Sequence, residues 1–126
     1  MGMTALLTNS DHTQNEFIVT GTITLSGNYG TSGGALPHGD TLDLSQLGIP
    51  SDTIPYLVNI WSTVPQGSAP IEDRYDYLPG TTQANGVVQC SLAGTEITPG
   101  ATYASTSPFN TTGFVLNFQA FYRALV

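Results

Sequence analysis

The last stretch of the chain constrains the fold most. Residues 113–125, GFVLNFQAFYRAL, put Phe114, Leu116, Phe118, Ala120 and Tyr122 on one side of an extended backbone, against Val115, Asn117, Gln119, Phe121 and Arg123. Side chains that alternate with a period of two mark a β-strand; an apolar helix face would recur at three and four. The same period runs through residues 16–25, where Phe17, Val19, Ile23 and Leu25 share a face with Gly21, against Ile18, Thr20, Thr22 and Thr24. It returns in residues 86–92, with Val88, Cys90 and Leu92 inward. Residues 54–61 form a denser apolar strand, with Ile54, Tyr56, Val58 and Ile60 pointing one way and Leu57 and Trp61 the other.

Between these runs the chain is punctuated by breakers. Six lie in residues 26–39: Gly27, Gly30, Gly33, Gly34, Pro37 and Gly39. Further turn signals follow at Pro79-Gly80 and Pro99-Gly100. Residues 45–50, SQLGIP, read as one tight corner, because Pro50 blocks helix continuation. Shorter strands are expected over residues 41–44, 71–78 and 96–97, whereas residues 62–70 and 101–112 read as loops. β-branched and aromatic residues dominate throughout, so no helix longer than a turn or two near residues 45–48 is expected. Short strands between turn signals predict an all-β fold: an antiparallel, jelly-roll-like β-sandwich over residues 16–126. Residues 1–15, MGMTALLTNSDHTQN, show no period and are expected to form an irregular N-terminal arm. The apolar spot Met3, Ala5, Leu6 and Leu7 makes that arm the candidate docking element, toward a partner or a neighbouring subunit.

Length and charge narrow the function. A chain of 126 residues holds one core. Charged residues make up 9%, far below the roughly 25% of ordinary domains, and the net charge is −7 with Arg74 and Arg123 as the only fixed cations. Nucleic-acid backbones and anionic membrane surfaces both require clustered Lys and Arg, so neither is an expected partner. A surface with so few charges favours burial by neighbours and therefore a homo-oligomer. Residues 1–10 lack a secretory signal pattern, and no stretch approaches the length of a membrane span. Cys90, the one cysteine, cannot form an internal disulfide and reads as a small buried hydrophobe.

Catalytic chemistry finds little support. Glu72, Asp73 and Asp76 with Arg74 form the one acidic cluster, legible either as a Ca²⁺ or hydrolytic carboxylate site or as a solvated strand entry in which Arg74 pairs locally. The spacing favours the latter. Asp40 and Asp43 fit turn chemistry at a strand start. His12 and His38 stand apart, which argues against zinc. No nucleophile elbow, phosphate loop or dinucleotide fingerprint occurs. No enzyme activity, metal or cofactor is expected. Asn110-Thr111-Thr112 matches a glycosylation sequon but means little without a secretory signal. Tyr56, Trp61, Tyr75, Tyr77 and Tyr103 would form a stacking row in a carbohydrate-binding module, or core and subunit interface in a structural sandwich.

One ordered set of motifs extends this reading. Gly33-Gly34, the run DTLDLS at residues 40–45, the LGIP corner at 47–50, Tyr75-Asp76-Tyr77, the strand GVVQCS at 86–91, GTEI at 94–97 and the aromatic final strand follow one another to the C-terminus. In this order they resemble the small decoration, or cement, proteins of tailed bacteriophages. The resemblance implies a single jelly roll on the outer surface of a virion, often trimeric, that binds the major capsid protein and reinforces the shell without catalysis. The competing expectation is a carbohydrate-binding or host-attachment module.

Overall fold

The computed structural model describes residues 2–12, 16–30, 39–45, 54–63 and 72–123. Within them lie strands β1 (Met3–His12), β2 (Glu16–Leu25), β3 (Asp40–Leu42), β4 (Leu57–Thr63), β5 (Asp73–Leu78), β6 (Gly86–Leu92), β7 (Thr95–Glu96) and β8 (Val115–Arg123). They make two antiparallel sheets. The first has the order β1-β2-β8-β4; the second has β3-β6-β5, with the short β7 also paired to β6. The all-β sandwich is therefore the observed fold. A 3-10 turn, Tyr103–Ser105, lies inside the stretch expected to be loop. Of the corner expected over residues 45–50, Ser45 is described, in 3-10 conformation, and residues 46–50 lie outside the described residues.

β8 is the spine of the first sheet. It pairs with β2 from Glu16↔Arg123 to Ile23↔Leu116, and with β4 from Leu57↔Phe121 to Thr63↔Val115. Its inward column, Leu116, Phe118, Ala120 and Tyr122, is fully buried, as the period of the sequence predicts. Val19 and Ile23 from β2, with Leu42, Tyr75, Val88 and Cys90 from the second sheet, close the core against it. Burial of a Phe-sized side chain contributes about 1.5–3 kcal/mol, so this column holds the layers together. The chain ties itself with one short connection: Ala93 and Gly94, both left-handed (φ 51° and 83°), form the two-residue turn between β6 and β7.

The expected N-terminal arm is not an arm. Residues 3–12 form β1, antiparallel to β2, with a register shift between Leu7 and Asn9. Met3 and Ala5 point into the core, where both are buried. Two features hid the strand from the sequence. Adjacent Leu6 and Leu7 break the alternation, and the bulge then leaves the polar run Thr8–Asp11 exposed at the sheet edge. The backbone of β1 is specified by β2 beside it. Gly21 is part of the reason: a Cβ there would collide with the Leu6 carbonyl and the Phe118 ring.

The entry to β4 also differs from expectation. Val58 and Ile60 point inward, but Ile54 and Tyr56 precede the strand and are exposed. Tyr56 is held by its backbone N–H, which donates to the Phe121 carbonyl at 2.9 Å.

Phe118→Ala is expected to cost about 3–5 kcal/mol, read as a lower denaturation midpoint, because the ring is fully buried. Deletion of residues 1–12 is expected to lower the thermal midpoint markedly, since it removes Met3 and Ala5 from the core and bares the β2 edge; unchanged stability would show that β1 is dispensable.

Candidate binding face

Asp40, Asp43, Asp73, Arg74 and Asp76, which the sequence marks as chemically interesting, are used by the fold. Asp40 is fully buried and accepts hydrogen bonds from the Tyr103 hydroxyl and from the Gly30 N–H, the latter at 2.9 Å. The Tyr29 hydroxyl donates to Glu96 Oε2 at 2.7 Å and accepts from the Cys90 N–H at 3.1 Å. Asp73 accepts from the hydroxyls of Ser62 and, at 2.8 Å, Tyr75, which ties β4 to β5. Arg74 Nε lies 3.1 Å from Asp76 Oδ1, so the pairing on that strand is local. Asp43 accepts from the Ser45 N–H at 2.8 Å. Asp40, Asp43 and the 72–76 cluster serve separate turns and strands. Among the described residues no three His, Cys, Asp or Glu side chains gather as a metal site.

Burial is the main cause that pushes Tyr29, Tyr75, Tyr103 and Tyr122 above the usual tyrosine range, and the neighbouring carboxylates of Glu96, Asp73 and Asp40 push the first three further. Burial alone raises Tyr77. On the exposed Tyr56 the first cause is its hydrogen bond to Glu16. Burial, reinforced by the Asp40 charge, likewise raises the Cys90 thiol, which makes it a core group rather than a nucleophile.

Of the proposed docking residues, Met3 and Ala5 are core, whereas Leu6 and Leu7 are exposed on β1. The proposed aromatic row is not a row. Tyr75 and Tyr103 are buried and Tyr77 is half-buried, which leaves Tyr56 and Trp61 in solvent. His38 lies outside the described residues, and His12 contributes its backbone to β1.

The outer face of the first sheet is the feature that sequence reasoning did not assemble. Across its four strands, directly opposed residues fall into ranks: Asp11, Ile18, Phe121 and Leu57; then Asn9, Thr20, Gln119 and Asn59; then Leu6, Thr22, Asn117 and Trp61. Beyond these stand the pairs Thr4–Thr24 and Val115–Thr63. The face thus has an apolar end and a neutral polar body. At the apolar end, Tyr56 lies against Phe121 (ring centroids 6.3 Å apart), with Arg123 over its ring at 5.1 Å. All seven exposed large hydrophobics among the described residues, Leu6, Leu7, Ile54, Tyr56, Leu57, Trp61 and Val115, belong to this sheet or to the lead-in of β4. The charged residues of this face, Asp11, Glu16 and Arg123, lie at its apolar end, and the outer face of the second sheet carries Arg74 and Asp76.

Two clefts flank this face. Where β2 and β8 part company beyond Ile23 and Leu116, a cleft of about 460 Å³ opens between Thr24, Leu25, Phe109, Phe114 and Val115. Along the β4–β5 margin runs another of about 610 Å³, lined by Asn59, Trp61, Arg74, Asp76, Tyr77 and Gln89 among others. The Tyr77 hydroxyl is buried beside Gly86 and has no hydrogen-bond partner among the described residues.

The chain matches no protein-family model, no curated protein and no solved structure.

The tyrosine layer sets the alkaline limit of stability. The unfolded chain releases phenolic protons near pH ~10, while the folded chain retains them, so stability is full below that pH and falls as pH rises above it. Phenolate absorbance is expected to rise together with loss of the β-sheet dichroism; ionisation that precedes unfolding would contradict this. Asp40→Ala is expected to destabilise by about 1–3 kcal/mol for each donor it strands, the Tyr103 hydroxyl and the Gly30 N–H.

Proposed function

We propose that this protein is a non-enzymatic structural protein of a bacteriophage virion that decorates the outer capsid surface, binds the major capsid protein and associates with itself as a trimer. The observation that carries the reading is the one-sided distribution of exposed apolar groups. All those among the described residues lie on the first sheet or the segment that leads into it. A sandwich that stood alone in water would gain nothing from such a concentration, whereas a docked one buries it. The apolar end built from Ile54, Tyr56, Leu57 and Phe121, with Leu6 and Leu7 at the far edge, is the surface best suited to a protein neighbour.

Three further points support the reading. The chain switches sheets at β2–β3, β3–β4, β4–β5 and β7–β8, the habit of a jelly roll, which agrees with the resemblance of its motifs to decoration proteins. Charged groups make up 9% of the chain, which suits a subunit partly enclosed by others. The carboxylates of Asp40, Asp73 and Glu96 serve buried tyrosines, which fits a structural role better than acid–base chemistry.

Light scattering at tens of micromolar is expected to report three times the chain mass, and Leu57→Asp to reduce it toward the monomer with little change in folding, since Leu57 is 45% exposed in the single chain. Antibody raised against the chain is expected to label the outside of intact virions. A monomer at all concentrations, together with unlabelled virions, would refute the proposal.

A further inference from the structure

We propose that the polar body of the first sheet's outer face is a binding platform for an uncharged glycan, with the Trp61 indole as its stacking surface. Twelve residues make up this region, the two inner ranks and the two outlying pairs. Nine of them carry a neutral amide or hydroxyl, and none is charged. An ordinary solvent-facing sheet would intersperse Lys and Glu, since about 25–35% of surface positions are usually charged. The charged residues of the same face, Asp11, Glu16 and Arg123, all lie at its other end, and the second sheet turns Arg74 and Asp76 outward.

The chemistry of the platform fits a pyranose. A sugar ring offers an apolar C–H face and a rim of hydroxyl groups that both donate and accept. Trp61, 45% exposed, supplies a flat apolar surface for the first. Asn59, Gln119 and Asn117 supply amides, each with donors and an acceptor, for the second, and Thr20 and Thr22 add hydroxyls between them. Asn117 is already oriented: its amide donates to Thr63 Oγ1 at 3.0 Å and to the Trp61 carbonyl at 3.5 Å. The side chains of Asn59 and Gln119 make no hydrogen bond to the described residues, so both amides are available to a ligand. Strands lie about 4.7–4.9 Å apart, close to the length of one pyranose, so a glycan laid across the strands meets a fresh amide or hydroxyl at each unit.

Charge selects the class of glycan. The chain carries −7 overall, Arg74 is engaged by Asp76, and Arg123 sits over Tyr56 at the other end of the face. Acidic polysaccharides meet repulsion without a compensating cation; neutral ones meet none. The inference does not rest on the virion reading: Leu6, Trp61 and Val115 belong to both surfaces, but the amides and hydroxyls that would bind a glycan lie beyond the apolar end around Ile54, Tyr56, Leu57 and Phe121.

Affinity electrophoresis through gels that contain dextran, mannan or β-glucan, with polygalacturonate as the acidic arm, tests the proposal. Trp61 is the one tryptophan of the chain, so its emission reads the site directly during titration with oligosaccharides of any retarding polymer. At least one neutral polymer is expected to retard the protein and its oligosaccharides to shift the emission, while polygalacturonate leaves mobility unchanged. Trp61→Ala is expected to weaken retardation about tenfold or more and Asn59→Ala or Gln119→Ala about three- to tenfold, while Trp61→Tyr retains most binding. Thermal midpoints equal to that of the parent protein show that these exposed substitutions leave the fold intact. Three outcomes would overturn the proposal: no retardation by any of the neutral polymers, equal retardation by polygalacturonate, or full binding by Trp61→Ala. Emission that changes with protein concentration and not with glycan would also overturn it, as the mark of a face covered by a second copy. Loss of glycan binding in Trp61→Ala with trimer mass and virion labelling intact would separate this site from the virion role.

Discussion

The fold depends on the pairing of the last strand with strands far earlier in the chain. β8 lies between β2 and β4, and its register to β2 joins Glu16 to Arg123 and Ile23 to Leu116. Every other layer is organised by that placement. β1 acquires a template because β2 is fixed, β4 acquires an inward face because Val58 and Ile60 meet Ala120 and Phe118, and the second sheet closes on the column from Leu116 to Tyr122. Contacts of this sequence separation bear a loop-closure entropy before they return any burial, so the sandwich forms only when the whole chain is present.

The second constraint is the disposal of tyrosine hydroxyls. Four of the most buried aromatic residues are Tyr29, Tyr75, Tyr103 and Tyr122, each an apolar ring with a polar tip that the interior must satisfy. Glu96, Asp73, Asp40 and Gln83 accept from them in turn. A buried carboxylate is costly, and Asp40 is kept because neutral donors, the Tyr103 hydroxyl and the Gly30 N–H, converge on it. An acidic chain with two arginines thereby uses part of its charge as internal scaffolding. The same bonds tie loops to sheets: Tyr103 reaches β3, Tyr29 reaches β6 and β7, and Asp73 joins the margins of the two sheets.

What remains for the outside is an asymmetric surface. One sheet turns Arg74 and Asp76 to solvent; the other presents an apolar end around Tyr56, Leu57 and Phe121, then two ranks of amides, hydroxyls and a single indole. The apolar end suits a protein neighbour and the neutral ranks suit a ligand rich in hydroxyl groups. Both readings draw on one physical fact: the charged residues of this face, Asp11, Glu16 and Arg123, gather at its apolar end, and the ranks beyond carry none.

Much of this was legible without coordinates. The period of two located β2 and β6 at their observed limits and the inward column of β8, and it assigned Cys90 to the core. Composition likewise foretold a surface poor in charge. The strand Met3–His12 was not legible, because its alternation fails at Leu6–Leu7 and its bulge is defined by β2. Nor was the fate of the tyrosines: periodicity tells which residues share a face, but burial depends on the layer that meets that face. Tyr56 and Trp61 look no different in sequence from Tyr75 and Tyr103, yet the second pair is enclosed and the first is not. The binding face shows the same division most clearly. Asn59, Gln119, Thr20 and Asn9 are scattered over more than a hundred positions, and only strand order and register, fixed by hydrogen bonds between distant segments, set them side by side.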